Sequence, residues 1–169
     1  MIWLLLTKHK VENLQKALPS PYEILIISIA SPLLIGVYRD GELIERISTE
    51  KKTSEILLKV LRDLSVKYNY RHILYTSGPG SYMAIKLTYI TLRSLEILKG
   101  ISFDGCDAFS LNNQNPIKAM GKLYFIKQKE TIITKKFDEA VEQRFELPSM
   151  LSEVAILSDN KPMYILPAV

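Results

Sequence analysis

The sequence has one cysteine, Cys106, and two histidines, His9 and His72, in 169 residues. A single cysteine excludes an intrachain disulfide and fits a reducing compartment. With no second cysteine, and with the histidines far apart, a His/Cys zinc site has no ligands to draw on. Runs long enough to cross a bilayer, about 20 apolar residues, are also missing. The N-terminal run Ile2-Trp3-Leu4-Leu5-Leu6 is short, and its basic neighbours Lys8 and Lys10 follow it, the reverse of a secretory leader. Internal repeats and low-complexity tracts are absent as well. A cytoplasmic protein without membrane association is expected.

What is present supports a packed core. Apolar residues make up 47% of the chain and charged residues 24%, with a formal net charge of +4. Much of the excess sits in Lys118, Lys122, Lys127, Lys129, Lys135 and Lys136, opposed within that stretch by Glu130 alone. Two readings are open: a loose basic face for nucleic acid, or a solvated hairpin. Only Tyr124, Phe125 and Phe137 offer rings between those lysines for base stacking.

Along the chain, Val11, Leu14 and Leu18 recur at helical spacing before Pro19 and Pro21, so residues 1–20 form an N-terminal extension. Ile24-Leu25-Ile26-Ile27-Ser28-Ile29 reads as a strand buried on both faces. Strands over 33–39 and 42–48 follow, joined by the hairpin signal Asp40-Gly41. A helix is expected over 53–68, capped by Thr53 or Ser54, then a strand over 72–76 and a helix over 82–99 ending at Gly100. Further expectations are a short fifth strand from Ile101, a helix start at 107–111, a hairpin from 122–128 and 131–137, a short helix over 139–145, a strand over 154–157 and an extended end over 163–166. The Asn-rich stretch 112–116 is taken as a domain edge. This order suggests an α/β, ribonuclease-H-like or actin-like half-domain plan, a mixed sheet carrying helices.

The turn Gly78-Pro79-Gly80-Ser81 joins the fourth strand to the second helix. Pro79 at position i+1 and Gly80 at i+2 suit a type II turn, and Ser81 suits a helix cap. Such a corner is either a plain reversal or an anion cradle at a helix start. The helix itself is apolar on more than one side. Met83, Leu87, Ile90 and Leu98 share one row, while Tyr82, Ile85, Tyr89, Leu92 and Leu95 extend the apolar surface around the cylinder. One sheet covers one stripe, so a second layer is required, from this chain or from another.

Ser77-Gly78-Pro79-Gly80-Ser81-Tyr82, with Lys86 and the helix ending at Gly100, resembles the Gly-Arg-Gly-Pro-Gly-Ser-Phe-Thr-Gly-Leu-Arg signature of the TsaB (YeaZ) family. The likeness runs over about residues 24–111, including Asp40-Gly41 and Ser54-Glu55, and Pro162-Met163-Tyr164-Ile165-Leu166 is similar to the family's closing Pro-x-Tyr-Leu-Arg. The resemblance implies an actin-like ATPase fold, with residues 21–111 as its N-terminal lobe and 112–169 as a reduced C-terminal lobe. It also implies a non-catalytic scaffold in tRNA threonylcarbamoyladenosine formation that pairs with the catalytic paralogue TsaD, alongside the ATPase TsaE, and forms a homodimer when TsaD is absent. The tRNA would be contacted indirectly. No cofactor is required, with ATP or ADP admitted only at a partner interface. The partner-binding residues would be Ile56 and Val60 on the first helix and Tyr82, Ile85, Lys86, Tyr89 and Leu92 on the second. An ATP-binding transferase or metallopeptidase of the same fold is the alternative. Departures from the family are Ser28 for a strand Asp, Thr53 for His, Ser77 for Arg, Ala84 for Gly, Lys86 for Arg, and a short C-terminal part.

Overall fold

Strand β1 (Tyr22–Ile27) is the central strand of a five-stranded sheet, which is why its apolar run is unbroken. The computed structural model describes residues 20–166; the helical row expected at Val11, Leu14 and Leu18 lies outside them. β1 pairs antiparallel with β2 (Leu33–Arg39), and β2 with β3 (Glu42–Thr49). On its other side β1 pairs parallel with β4 (His72–Gly78), and β4 with β5 (Ser102–Asp107), giving the order β3-β2-β1-β4-β5. Asp40 and Gly41 both have positive φ, 51° and 85°, as a two-residue hairpin twisted to match its strands demands.

Alternation along the strands divides the interior in two. Ile24, Ile26, Ile35, Val37, Ile73, Tyr75 and Phe103 face helices α1 (Thr53–Lys67) and α2 (Tyr82–Lys99), which bury Leu57, Leu61, Leu64 and Leu92 on them. Leu25, Ile27, Tyr38, Leu74 and Cys106 face the other way. They share a cluster with Phe109, Leu111, Ile117, Phe125, Leu147 and Val154. Part of that second layer is a three-stranded antiparallel sheet, β6 (Ile117–Met120), β7 (Leu123–Gln128) and β8 (Thr131–Lys136). The Lys127 ammonium, 3.1 Å from the buried Asp107 carboxylate, ties this sheet to the end of β5.

Several expected elements are absent or different. The fifth strand continues to Asp107, whose carboxylate accepts from the Phe109 amide at 3.2 Å. The helix expected at 107–111 is therefore only a 3-10 turn at Ser110–Asn112. Residues 139–145 form no helix, because side chains hold that backbone in an irregular path. The Arg144 amide donates to Asn112 Oδ1 at 2.7 Å, and Gln143 Nε2 donates to the Pro116 carbonyl at 3.0 Å. The strand expected at 154–157 is one bridge between Ile156 and Cys106 after a 3-10 turn, and 163–166 adds no strand. Helix α1 starts after Lys52 with no side-chain cap, so neither Thr53 nor Ser54 caps it. Between the two sheets, the loop 112–116 carries Asn113 and Gln114 at positive φ.

Burial pushes the Cys106 thiol up to about 12. The folded protein holds this proton more tightly than the unfolded chain, so its contribution to stability is complete below the ordinary thiol pKa and declines as pH rises toward 12. At pH 8 a disulfide reagent is expected to leave Cys106 unmodified in the native protein and to react fully in denaturant. In urea titrations, Leu61→Ala is expected to cost about 2–5 kcal/mol, whereas Val66→Ala, at a site 87% exposed, stays within about 0.5 kcal/mol.

Candidate interaction surface

The corner at 77–82 is built by close approach. Positive φ falls on Gly78 (137°), the Gly78–Pro79 peptide is cis, and Gly80 is not at positive φ, so the expected type II turn does not form. Gly80 is needed for space: a Cβ there would lie 2.7 Å from Ile29 Cβ. A Cβ on Gly78 would lie 2.5 Å from the Met163 carbonyl oxygen. Ser81 caps α2 as expected, accepting from the Ala84 amide at a long 3.4 Å.

The chain's own C-terminal segment occupies one side of this corner. The Met163 amide donates to the Ser77 carbonyl at 2.7 Å, the Tyr75 hydroxyl to the Asn160 carbonyl at 2.7 Å, and Asn160 Nδ2 to the Phe103 carbonyl at 3.1 Å. Gly78 and Pro79 are thereby buried. On the other side, a cavity of about 440 Å³ opens between the starts of α1 and α2, lined by Ser31, Lys52, Thr53, Ser81, Met83 and Leu87 among others. Ser28, at the position where the resembled family has an Asp, faces α2. Its hydroxyl lies 2.8 Å from Thr88 Oγ1 in a buried hydrogen bond.

That bond sets which way α2 faces. Ile85, Thr88 and Leu92 are buried, and Tyr89 meets Phe103 edge-on at 5.9 Å between ring centroids. Tyr82 packs on Tyr164 at 4.7 Å. Of the residues expected to bind a partner, Ile85 and Leu92 are each 1% exposed and are corrected to core positions. Tyr82, Tyr89, Ile56 and Val60 are half-buried, and Lys86 is exposed with its ammonium 5.9 Å from the Tyr82 ring centre.

The outward side carries Met83, Ile90 and Leu98 of the first row together with Ile97, while Leu87 of that row is half-buried. Met83, Ile90, Ile97 and Leu98 are exposed, the last two at 77%. At about 100° per residue they lie opposite Ile85, Thr88 and Leu92, with Lys86 and Arg93 at the margin. On α1 only Leu58 and Val66 are large, apolar and exposed. Both rows of α2 are apolar, so periodicity alone does not choose between them. The signal that does is Thr88, a hydroxyl that needs a partner when buried and finds one in Ser28.

The sequence matches no protein-family model and no curated protein. Solved structures do match. One is an uncharacterized protein with similarity to peptidase YeaZ from Pseudomonas aeruginosa, with a TM-score of 0.52 and 12% identity over 80% of this chain and 66% of the other. A second, YeaZ from Pseudomonas aeruginosa, has a TM-score of 0.53 and 12% identity over 87% of this chain and 70% of its own.

The fold is that of YeaZ. The chain spans about two thirds of the length of these structures. The mixed sheet and its two helices agree with the actin-like, ribonuclease-H-like plan expected from the element order. Gly80→Ala is expected to lower stability by about 1–3 kcal/mol, the usual cost of forcing a methyl into a packed contact. Thermal and urea unfolding of the variant measure it.

Proposed function

We propose that this protein is a non-catalytic scaffold subunit that binds and supports TsaD in tRNA threonylcarbamoyladenosine formation, with TsaE joining the assembly and tRNA contacted indirectly. The observation that carries the reading is the outward row of α2, Met83, Ile90, Ile97 and Leu98, exposed on a helix whose opposite side is already committed to the core. Large apolar side chains grouped on one exposed helix face mark an interaction surface. The YeaZ fold and the signature corner support TsaD as the partner, and Leu58 and Val66 are the exposed large apolar side chains of α1.

Ser28 supports the absence of phosphoryl chemistry from this scaffold, since its hydroxyl is spent on Thr88 and it brings no carboxylate to the strand end. The metallopeptidase alternative needs clustered ligands, and among the described residues no three His, Cys, Asp or Glu side chains are grouped to hold a metal. No helix there is long and apolar enough to cross a membrane. We place the protein in the cytoplasm, forming homodimers through the same row when TsaD is absent, with ATP or ADP bound only where a partner completes a site.

A charge on the outward row separates interface from core. Ile90→Glu is expected to keep the fold by circular dichroism and to weaken co-purification with TsaD by more than about tenfold, a loss on the scale of an interface hot spot. Ile85→Glu buries a carboxylate and is expected to unfold the protein. Unchanged TsaD binding by Ile90→Glu would contradict the proposed surface.

A further inference from the structure

Exposed apolar side chains from three separate parts of the chain meet beside the first turn of α2. Met83 of α2, Met120 at the end of β6, and Tyr164 and Ile165 of the C-terminal segment are all exposed, the two methionines at 56% and 53%. All four line one cavity of about 250 Å³. Apolar residues scattered singly over a surface need no explanation, whereas four that border one hollow form a patch.

The hollow continues around the helix. Tyr82, Met83 and Met120 also line a second cavity of about 530 Å³, which reaches Lys118 on one side and Ser31 and Ser81 on the other. Ser31, Ser81 and Met83 in turn line the cavity of about 440 Å³ at the start of α1, together with Lys51 and Lys52. Met83 borders all three, so they form one groove around the beginning of α2, from the second sheet to the first helix. Its walls are largely exposed side chains, which suits a stretch of polypeptide better than a small ligand enclosed on most of its surface.

Charge selects the kind of polypeptide. Among the described residues, the charged groups lining the groove are Lys51, Lys52 and Lys118 against Glu50 alone. The Glu50 carboxylate already accepts from the Ser31 hydroxyl at 2.6 Å. None of the three lysines is in an ion pair with a described residue. Lys86, one turn into α2, adds a fourth ammonium beside Tyr82. Met83, Met120 and Met163 all line the apolar end, and the unbranched, polarizable methionine side chain adapts to apolar groups of differing shape.

We infer that this groove docks a segment of another protein that carries apolar side chains flanked by carboxylates. The apolar side chains seat among Met83, Met120 and Tyr164, and the carboxylates pair with Lys118 at one end and with Lys51 and Lys52 at the other. The inference goes beyond the scaffold reading. The groove leaves the outward row of α2 at Met83 and runs onto the second sheet, and TsaD plays no part in its test.

The probe is a dye-labelled amphipathic peptide with leucines on one face and glutamates elsewhere, and its control is the same peptide with lysines in place of the glutamates. Fluorescence anisotropy follows each as the full-length protein is titrated in. The glutamate peptide is expected to bind and the lysine peptide not to. Met120→Lys and Lys118→Glu, with native circular dichroism, are each expected to weaken the glutamate peptide by about tenfold or more. Met120→Lys adds a positive charge, so a loss there reports the apolar seat rather than the charge. No binding of the glutamate peptide, equal binding of both peptides, or unchanged affinity in Met120→Lys overturns the proposal. Should Met120→Lys not fold, unchanged affinity in Lys118→Glu overturns it instead. Self-association of the wild type that Met120→Lys abolishes assigns the groove to a second copy and overturns it equally. Peptide binding by a protein that fails to bind TsaD would sink the scaffold reading and leave this one standing.

Discussion

A hydrogen bond of 2.8 Å between Ser28 and Thr88 fixes the rotation of α2 about its own axis. Both hydroxyls are buried and each satisfies the other, so turning the helix would strand two polar groups at a cost of a few kcal/mol. The close contact of Gly80 with Ile29 fixes where the helix begins. Together they lay Ile85 and Leu92 against the sheet and turn Met83, Ile90, Ile97 and Leu98 away from it. Which row the helix presents follows from that rotation, since a half-turn would present the opposite one.

The sheet was legible in the sequence because its signals are local. The run at 24–27 announced a strand covered on both faces, Asp40-Gly41 announced a hairpin, and the helical rows Ile56-Val60-Leu64 and Leu57-Leu61-Tyr68 announced a helix on the sheet. What escaped reading depends on contacts distant along the chain. The path of 139–145 is set by Asn112 and Pro116, and the seat of residues 157–163 by Tyr75, Ser77 and Phe103. No periodicity encodes those bonds. The doubly apolar character of α2 was visible, but the choice of its inner row was not, because that choice rests on a pair of hydroxyls 60 residues apart.

The corner at 77–82 is shaped by close packing. Its glycines are used for close packing, Gly78 against Met163 and Gly80 against Ile29. Helix α2 still leaves it with a Ser81 cap and an αL exit at Gly100 (φ 67°), so the corner's remaining work is to aim a well-terminated helix. The cavity beside Ser81 faces the starts of both helices rather than the buried turn. A reading that moves function from the loop to the helix thus rests on which groups are already engaged.

The central claim is that the side of α2 turned away from the sheet is where TsaD binds. Site-specific photo-crosslinking tests it most directly, with the photoreactive residue placed in turn at Ile90 and at Ile133, an exposed position on the second sheet. The prediction is a crosslink to TsaD from position 90 and none from position 133. Crosslinking from 133 alone would contradict it.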